Sequence, residues 1–299
     1  MPFAQRRINV TFALAKTTFP DGSQILDLEG HRVQVSLANN GGGLALPTLS
    51  LRIYGMQLAD MGALATRGLT GLAVNGDQVT IEAGSVDGSA NGSSAGLMNT
   101  IFVGTIYSAV TDFSGSPEVS FVVNASSGFL QRIQAAPPNT YPGPQDVASI
   151  IGGLAKQAGY AFQNHGVTAK ISGQYLAGTL MDQIEKVAGA TQTLVLLDQG
   201  VLHCWPNGGA PDFPAVTLSA ATGMRGYPTF TPTGLEVSCE WNAAILFGAT
   251  ANVQSLVPMA SGSWQVMRAS HELSTLTPDG PWFSTLNLSP VGYLGVSPN

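Results

Sequence analysis

Residues 48–66 read TLSLRIYGMQLADMGALAT, and the apolar period changes once within them. From Leu49 to Tyr54 the apolar Leu49, Leu51 and Ile53 alternate with Ser50, Arg52 and Tyr54, which predicts a strand with one buried face. After Gly55 the spacing lengthens: Leu58, Met61 and Leu64 recur at every third residue, with Ala59, Ala63 and Ala65 between them. That spacing predicts a short helix whose single apolar stripe packs back onto the sheet. The stretch is a scaffold element, not a catalytic one.

Upstream, Ile8, Val10, Phe12 and Leu14 alternate with polar or small residues and predict a first strand, followed by a turn at Asp21-Gly22. His31, Val33, Val35 and Leu37 predict another, ending at the flexible Asn39-Asn40-Gly41-Gly42-Gly43. Downstream, Asn75-Gly76-Asp77 lies between Leu72-Ala73-Val74 and Gln78 to Ile81, a short-range hairpin signal. Gly84 to Gly96 is too polar and glycine-rich to pack and is expected as a mobile loop. Ile101 to Val110 and Val119 to Val123, separated by a turn at Ser114-Gly115-Ser116, complete an all-β region over 1–135, a barrel or sandwich by size.

Pro137, Pro138, Pro142 and Pro144 make a stiff connector in which no helix or central strand persists, so a domain boundary is expected there. A small α/β domain follows over 143–206. Pro144 suits the first turn of a helix, and Val147, Ile150, Ile151, Leu154 and Ala158 form its stripe, ending at Gly159. Tyr160 to Phe162 and Val167 to Ile171 read as strands. Thr179 and Asp182 make an acidic capping box for a second helix, and Leu194 to Leu197 and Val201 to Trp205 form a hairpin through Asp198-Gln199-Gly200. Pro206 to Pro214 is a second linker. Over 214–299 the period returns to two, with Leu235, Val237, Cys239 and Trp241 on one face and further strands around Val253, Trp264, Val266 and Trp282 to Leu288. The chain is mainly β with a small α/β domain, and no fixed repeat relates its β regions.

Only 10% of the 299 residues are charged, whereas 44% are hydrophobic. A surface so poor in charge is explained most simply if neighbouring subunits cover much of it; a monomer with a Ser/Thr/Asn/Gln surface is the other reading. Twelve Lys and Arg against eighteen Asp and Glu give a net charge of −6, with no basic run to track a phosphate backbone. An acidic surface does suit a conduit through which DNA passes without sticking. Cys204 and Cys239 have no metal-ligand spacing and read as buried thiols of a cytoplasmically made protein. Arg6, Arg7, Asn9, Thr11 and Lys16 interrupt the N-terminal segment, so it does not read as a secretion signal, and no window is apolar enough for a spanning helix.

Catalytic signals are sparse. His31, His165, His203 and His271 are scattered and read as solvated or packed, and the alternating strand turns His203 and Cys204 to opposite faces. No phosphate loop of either common spacing reads from the sequence, and Gly262-Ser263-Trp264 breaks the pattern of a nucleophile elbow. A glycosidase pair needs only two carboxylates from anywhere in the chain; Asp60, Glu82, Asp112, Glu118, Asp182 and Glu185 are the candidates, with Asp182 more simply a cap. Tyr227, Phe230, Trp264, Trp282 and Phe283 could line a sugar surface but fit core or subunit contacts better. No catalytic, cofactor-binding or metal-binding residues are therefore assigned, and the chain is expected not to be an enzyme.

The stretches Thr18-Phe19-Pro20-Asp21-Gly22-Ser23, Gly30 to Val35 and Leu51 to Met56 with its helix resemble the baseplate hub proteins of tailed bacteriophages. Phe102 to Tyr107, Ala221-Thr222-Gly223-Met224, Gly226-Tyr227-Pro228 and Gly280-Pro281-Trp282-Phe283 agree, so the resemblance covers nearly the whole chain. None of these is a catalytic signature. The resemblance implies two tail-tube-like β-barrel domains, 1–135 and 214–299, flanking or enclosing the α/β insertion at 143–206. It implies a homotrimer whose ring joins a sixfold tail tube, or its distal-end protein, to a central spike or tail-tip fibre, beside other baseplate proteins, with DNA passing through the channel unbound. The place implied is the virion tail baseplate, after assembly in the host cytoplasm and without membrane insertion. The loops 84–96 and 222–234 are expected to reach a neighbouring ring. The alternative is a tail-tip cell-wall glycan hydrolase or glycan-binding protein, for which Glu82 and Glu118 are the residues to replace.

Overall fold

A computed structural model describes residues 5–40, 46–65, 75–85, 98–207, 209, 211 and 213–291. The chain forms two compact units. Unit 1 comprises Met1–Leu37, Pro47–Phe129 and His271–Trp282; unit 2 comprises Ala38–Leu46, Leu130–Ser270 and Phe283–Asn299. Among the described residues no helix is long and apolar enough to cross a membrane.

Unit 1 contains β1 (Arg6–Ala13), β2 (Ile25–Leu28), the 32–37 part of β3 (Arg32–Asn40), β4 (Thr48–Tyr54), α1 (Leu58–Leu64), β5 (Gln78–Ser85), β6 (Asn99–Asp112) and β7 (Ser120–Ser126). Its sheet runs β3-β4-β7-β6-β5-β1-β2. Alternation decides which face is inside: Ile8, Val10 and Phe12, Val33, Val35 and Leu37, Leu49, Leu51 and Ile53, and Val79 and Ile81 are all buried. The strand and helix expected over 48–64 are both present, as β4 and α1. One member of the expected helical stripe departs from it, because Met61 and Leu64 are buried but Leu58 is 64% exposed.

The hairpin expected around Asn75-Gly76 has its first arm, 72–74, outside the described residues. Its second arm, β5, pairs along both edges, with β1 and with β6. Of the other expected loops, 41–43, 86–96 and positions 208, 210 and 212 of the second linker also lie outside the described residues.

Unit 2 follows α2 (Phe129–Ile133) and first builds an α/β part: β8 (Ala135–Tyr141), β9 (Gln145–Asp146), α3 (Val147–Gln157), β10 (Ala161–Asn164), β11 (Lys170–Ile171), β12 (Gln174–Thr179), α4 (Leu180–Thr191), β13 (Leu194–Asp198) and β14 (Val201–Trp205). Ile150, Ile151 and Leu154 of α3 and Met181, Ile184 and Val187 of α4 close over Val195, Leu197 and Leu202 in one apolar cluster. The capping box forms as read: the Asp182 N–H donates to Thr179 Oγ1 at 3.1 Å, and the Thr179 N–H donates to an Asp182 carboxylate oxygen at 2.9 Å. The expected hairpin is β13–β14, which turns through Gln199 and Gly200 with φ of 48° and 81°. Pro144 precedes the helix it was expected to open, since Asp146 is the N-cap of α3.

No central strand runs through the connector, but its residues 135–141 form a strand of a two-stranded pair. Among the described residues β8 pairs with β12 alone, and the pairing is interrupted between Leu176, opposite Asn139, and Gly178, opposite Ala136. Pro137 and Pro138 fall in that interruption, where a missing N–H removes no ladder bond.

The rest of unit 2 is β: β15 (Val216–Ser219), β16 (Met224–Thr231), β17 (Gly234–Glu240), β18 (Thr250–Gln254), the 262–270 part of β19 (Gly262–Thr275) and the 283–290 part of β20 (Trp282–Pro290). Leu235, Val237 and Cys239 meet Leu286, Leu288, Val253 and Val266 in a second cluster. A third, of Leu196, Trp205 and Phe247 with Leu194 and Phe213, links the α/β and β parts. The stretch 222–234, expected as a loop, is mostly β16, hydrogen-bonded to β17 with a bulge between Arg225 and Thr229. Its Gly226 and Pro228 lie in the bulge, so residues that normally mark a loop here mark an irregular strand.

Candidate assembly site

The β4–α1 elbow shapes a concavity of unit 1. Gly55 turns the chain with φ of 80°, a conformation that favours glycine, and the helix starts three residues later. The resulting cavity, about 380 Å³, is lined by Tyr54, Met56, Leu58, Met61, Pro117 and Val119, with Arg32 and Glu118 at its side. The Arg32 guanidinium lies 4.0 Å from the centre of the Tyr54 ring and donates to Glu118 at 3.0 Å. An aromatic face and a carboxylate thus hold one cation in place, so the cavity carries no net charge. Leu58 reaches solvent at its rim.

The candidate carboxylates are spread over separate partners. Glu118 is paired with Arg32, Asp112 with Arg52 at 2.8 Å, and Glu185 with Arg132 at 2.9 Å. The Ser114 hydroxyl, with help from Arg52, pulls the Asp112 carboxyl down to about 2. Asp182 is held low by the Thr179 backbone and hydroxyl that it caps. Asp60 lies in the first turn of α1 and Glu82 on β5, both half-buried. Arg7 pairs with Glu29, and Lys170 with Asp146 at 3.7 Å, so much of the scarce positive charge is matched locally.

Two of the histidines are not scattered. β10 and β14 are parallel, with Gln163 opposite His203, and this brings His165 Nε2 to 3.0 Å from His203 Nδ1. Both rings stack on Trp205, at 4.4 Å and 5.6 Å, with Phe213 edge-on. A parallel pairing that joins positions 38 apart leaves no local spacing to read, which is why the sequence did not reveal it. Asn164 shares the site, and its Oδ1 accepts a weak hydrogen bond from the Cys204 thiol at 3.6 Å. His31 Nδ1 meets the Glu29 carbonyl at 3.1 Å. His271 is 4% exposed, and burial lowers it to about 4.

His203 and Cys204 do point apart: the first is half-buried and the second fully buried. Burial raises both thiols to about 11, which keeps them protonated and poor nucleophiles. Among the described residues no group of three or more His, Cys, Asp or Glu is placed to hold a metal ion.

The aromatic residues divide. Trp264 donates to the Ala260 carbonyl, Trp282 lies under Arg6 at 5.5 Å, and Phe283 lies under Arg225 at 4.8 Å. Tyr227 and Phe230, on β16, remain 64% and 53% exposed. Leu256 and Met259 are likewise apolar side chains that the isolated chain leaves exposed.

Solved structures of other proteins share this fold. A tail protein from Neisseria meningitidis is 11% identical over 96% of this chain and 98% of that one, with a TM-score of 0.61. The 43 kDa tail protein of prophage MuSo2 from Shewanella oneidensis is 6% identical over 97% and 99%, with a TM-score of 0.62. The c3393 protein of E. coli, a type VI secretion component described as similar to the T4 tail proteins gp27 and gp5, is 10% identical over 90% and 76%, with a TM-score of 0.56. No curated protein matches in sequence. The fold is that of phage tail proteins.

The family model described as Baseplate hub gp41 matches residues 8–286, and the chain belongs to that family. It is a family of structural proteins of the virion tail baseplate, not of enzymes, so the glycan hydrolase alternative is set aside. The resemblance carried by the 18–23, 30–35 and 51–56 stretches was to this family.

Proposed function

We propose that three copies of this chain form a ring that joins the sixfold tail tube, or its distal-end protein, to the central spike or tail-tip protein and lines the channel through which DNA leaves. The observation that carries this reading is the family match across residues 8–286, which leaves only short ends outside it. We read residues 1–135 and 214–299 as two tail-tube-like β-barrel domains around the α/β insertion at 143–206, so that a trimer presents a pseudo-sixfold face. Charge supports it: an acidic, locally neutralised surface lets a polyanion pass without binding. Assembly takes place in the host cytoplasm, beside other baseplate proteins.

Deleting the gene tests the role. Lysates should then contain heads and unattached tubes but no completed baseplates, restored by the gene supplied in trans. Infectious particles with normal tails would end the proposal.

A further inference from the structure

Between β18 and β19 the chain makes a tip, Ser255-Leu256-Val257-Pro258-Met259-Ala260-Ser261, that holds two large apolar side chains in water. Leu256 is 85% exposed and Met259 83%. The tip is tied down. The Ser261 hydroxyl accepts from the Ser255 N–H at 3.1 Å and donates to the Ser255 carbonyl at 3.0 Å. The Ser255 hydroxyl accepts from the Val257 N–H at 3.1 Å, the Ser261 N–H donates to the Pro258 carbonyl at 3.2 Å, and the Trp264 indole donates to the Ala260 carbonyl at 2.9 Å. Ala260 is buried and Val257 packs on the β cluster, so the root is fixed while Leu256 and Met259 stand clear. Ordering that is already complete need not be supplied on binding, which favours association.

We propose that Leu256 and Met259 of one copy enter the β4–α1 cavity of unit 1 on a neighbouring copy. The inference rests on the ring reading above and names its contact. A closed ring of more than two copies needs a heterologous interface, in which two different patches meet head to tail. A rigid protrusion and a cavity are such a pair.

Size agrees, since 380 Å³ is near the lower end of the roughly 300–1,000 Å³ of ligand pockets and suits one or two aliphatic side chains. Chemistry agrees as well: Met56, Leu58, Met61, Pro117 and Val119 offer apolar contact. Each copy carries a net charge of −6, so copies repel wherever charge faces charge. The tip has no charged residue, and Arg32 and Glu118 neutralise each other beside the cavity. Docking would also cover Leu58, the one member of the α1 stripe left in solvent.

The test uses the full chain with Leu256→Cys and Leu58→Cys together. The natural thiols are buried, so the introduced pair is the reactive one. Oxidation should give dimers and trimers on a non-reducing gel, dissolved by dithiothreitol. Each single variant should stay monomeric on the gel, and a mixture of the two singles should stop at dimers. A disulfide confined to one chain would overturn the contact.

Leu256→Asp with Met259→Asp supplies an independent arm. Both residues are exposed in the single chain, so the melting temperature measured at concentrations where both proteins are monomeric should be unchanged, while trimer mass is lost at concentrations at least tenfold above the wild-type midpoint. If the wild type is a trimer and this variant is equally trimeric, the contact is wrong and the ring reading stands. If the wild type never leaves the monomer with or without a spike partner, both fall.

Discussion

Unit 1 draws much of its core from the alternating positions of paired strands, with Met61 and Leu64 of α1 added, whereas unit 2 divides its apolar side chains among an α/β cluster, a β cluster and a small aromatic cluster between the two. The difference bears on how damage spreads. A strand in the middle of unit 1, such as β4 between β3 and β7, has no alternative packing, because shifting it by one residue would turn Leu49, Leu51 and Ile53 to the wrong face. Unit 2 can lose part of one cluster while another persists.

Ile53→Asp attacks the first kind of core. Ile53 is fully buried, and an unpaired carboxylate there should cost at least about 3 kcal/mol in denaturant unfolding. A wild-type midpoint would mean that β4 is not central.

Acid should separate the units further, because a buried histidine of unit 1 and a half-buried aspartate of unit 2 respond in opposite senses. His271, in unit 1, is lowered to about 4 by burial. As pH falls below the ordinary 6.5 the unfolded chain takes up a proton that the folded unit refuses until about 4, so stability is present above this window and lost within it, by up to about 3 kcal/mol. Asp198, in unit 2, is raised by burial to about 6. Its folded form holds a proton that the unfolded chain has released, so its contribution is present below 3.8 and lost as pH rises through 6. The two largely offset each other between about 4 and 6. Hydrogen exchange resolved by peptide should therefore show unit 1 opening more readily at pH 4.5 than at pH 7. Asp198→Asn should steepen the overall acid loss of stability, and an unchanged slope would contradict the opposition.

Smaller effects should stay local. Thr179→Ala removes the hydroxyl half of the α4 capping box and should cost about 1 kcal/mol, with faster exchange confined to 179–191. Spread of that exchange into β17 and β20 would show that the clusters of unit 2 are coupled. Least of all, Leu256→Asp should change the stability of the monomeric chain by no more than about 0.5 kcal/mol, since the side chain gives up no core contact within its own chain.

Much of this architecture was legible because period-two alternation leaves few alternatives. The strands around Ile8, Val33, Ile53 and Leu235, and the helix opened by Thr179 and Asp182, all form where the spacing put them. Failures came where local chemistry and tertiary setting disagree. Pro137 and Pro138 look like a linker but sit at an interrupted pairing of an edge strand, and Gly226 and Pro228 look like a loop but occupy a bulge. Leu58 fits the stripe of α1 by spacing alone, yet the elbow at Gly55 leaves it beside a cavity.

The assembly surfaces were less legible than the core. The scarcity of charge announced that surface would be covered, but exposure of Leu256 and Met259 depends on serine hydrogen bonds that no periodicity encodes. The His165–His203 contact was hidden for the same reason, since a parallel pairing joins distant positions.

The central claim is the trimeric ring, and native mass spectrometry of the purified full chain across a concentration series, alone and with the spike protein, tests it most directly. The account predicts three times the 30.9 kDa chain mass, alone or once the spike is added, with no stable dimer. A chain that remains at 30.9 kDa under every condition, or that closes into hexamers, would contradict it.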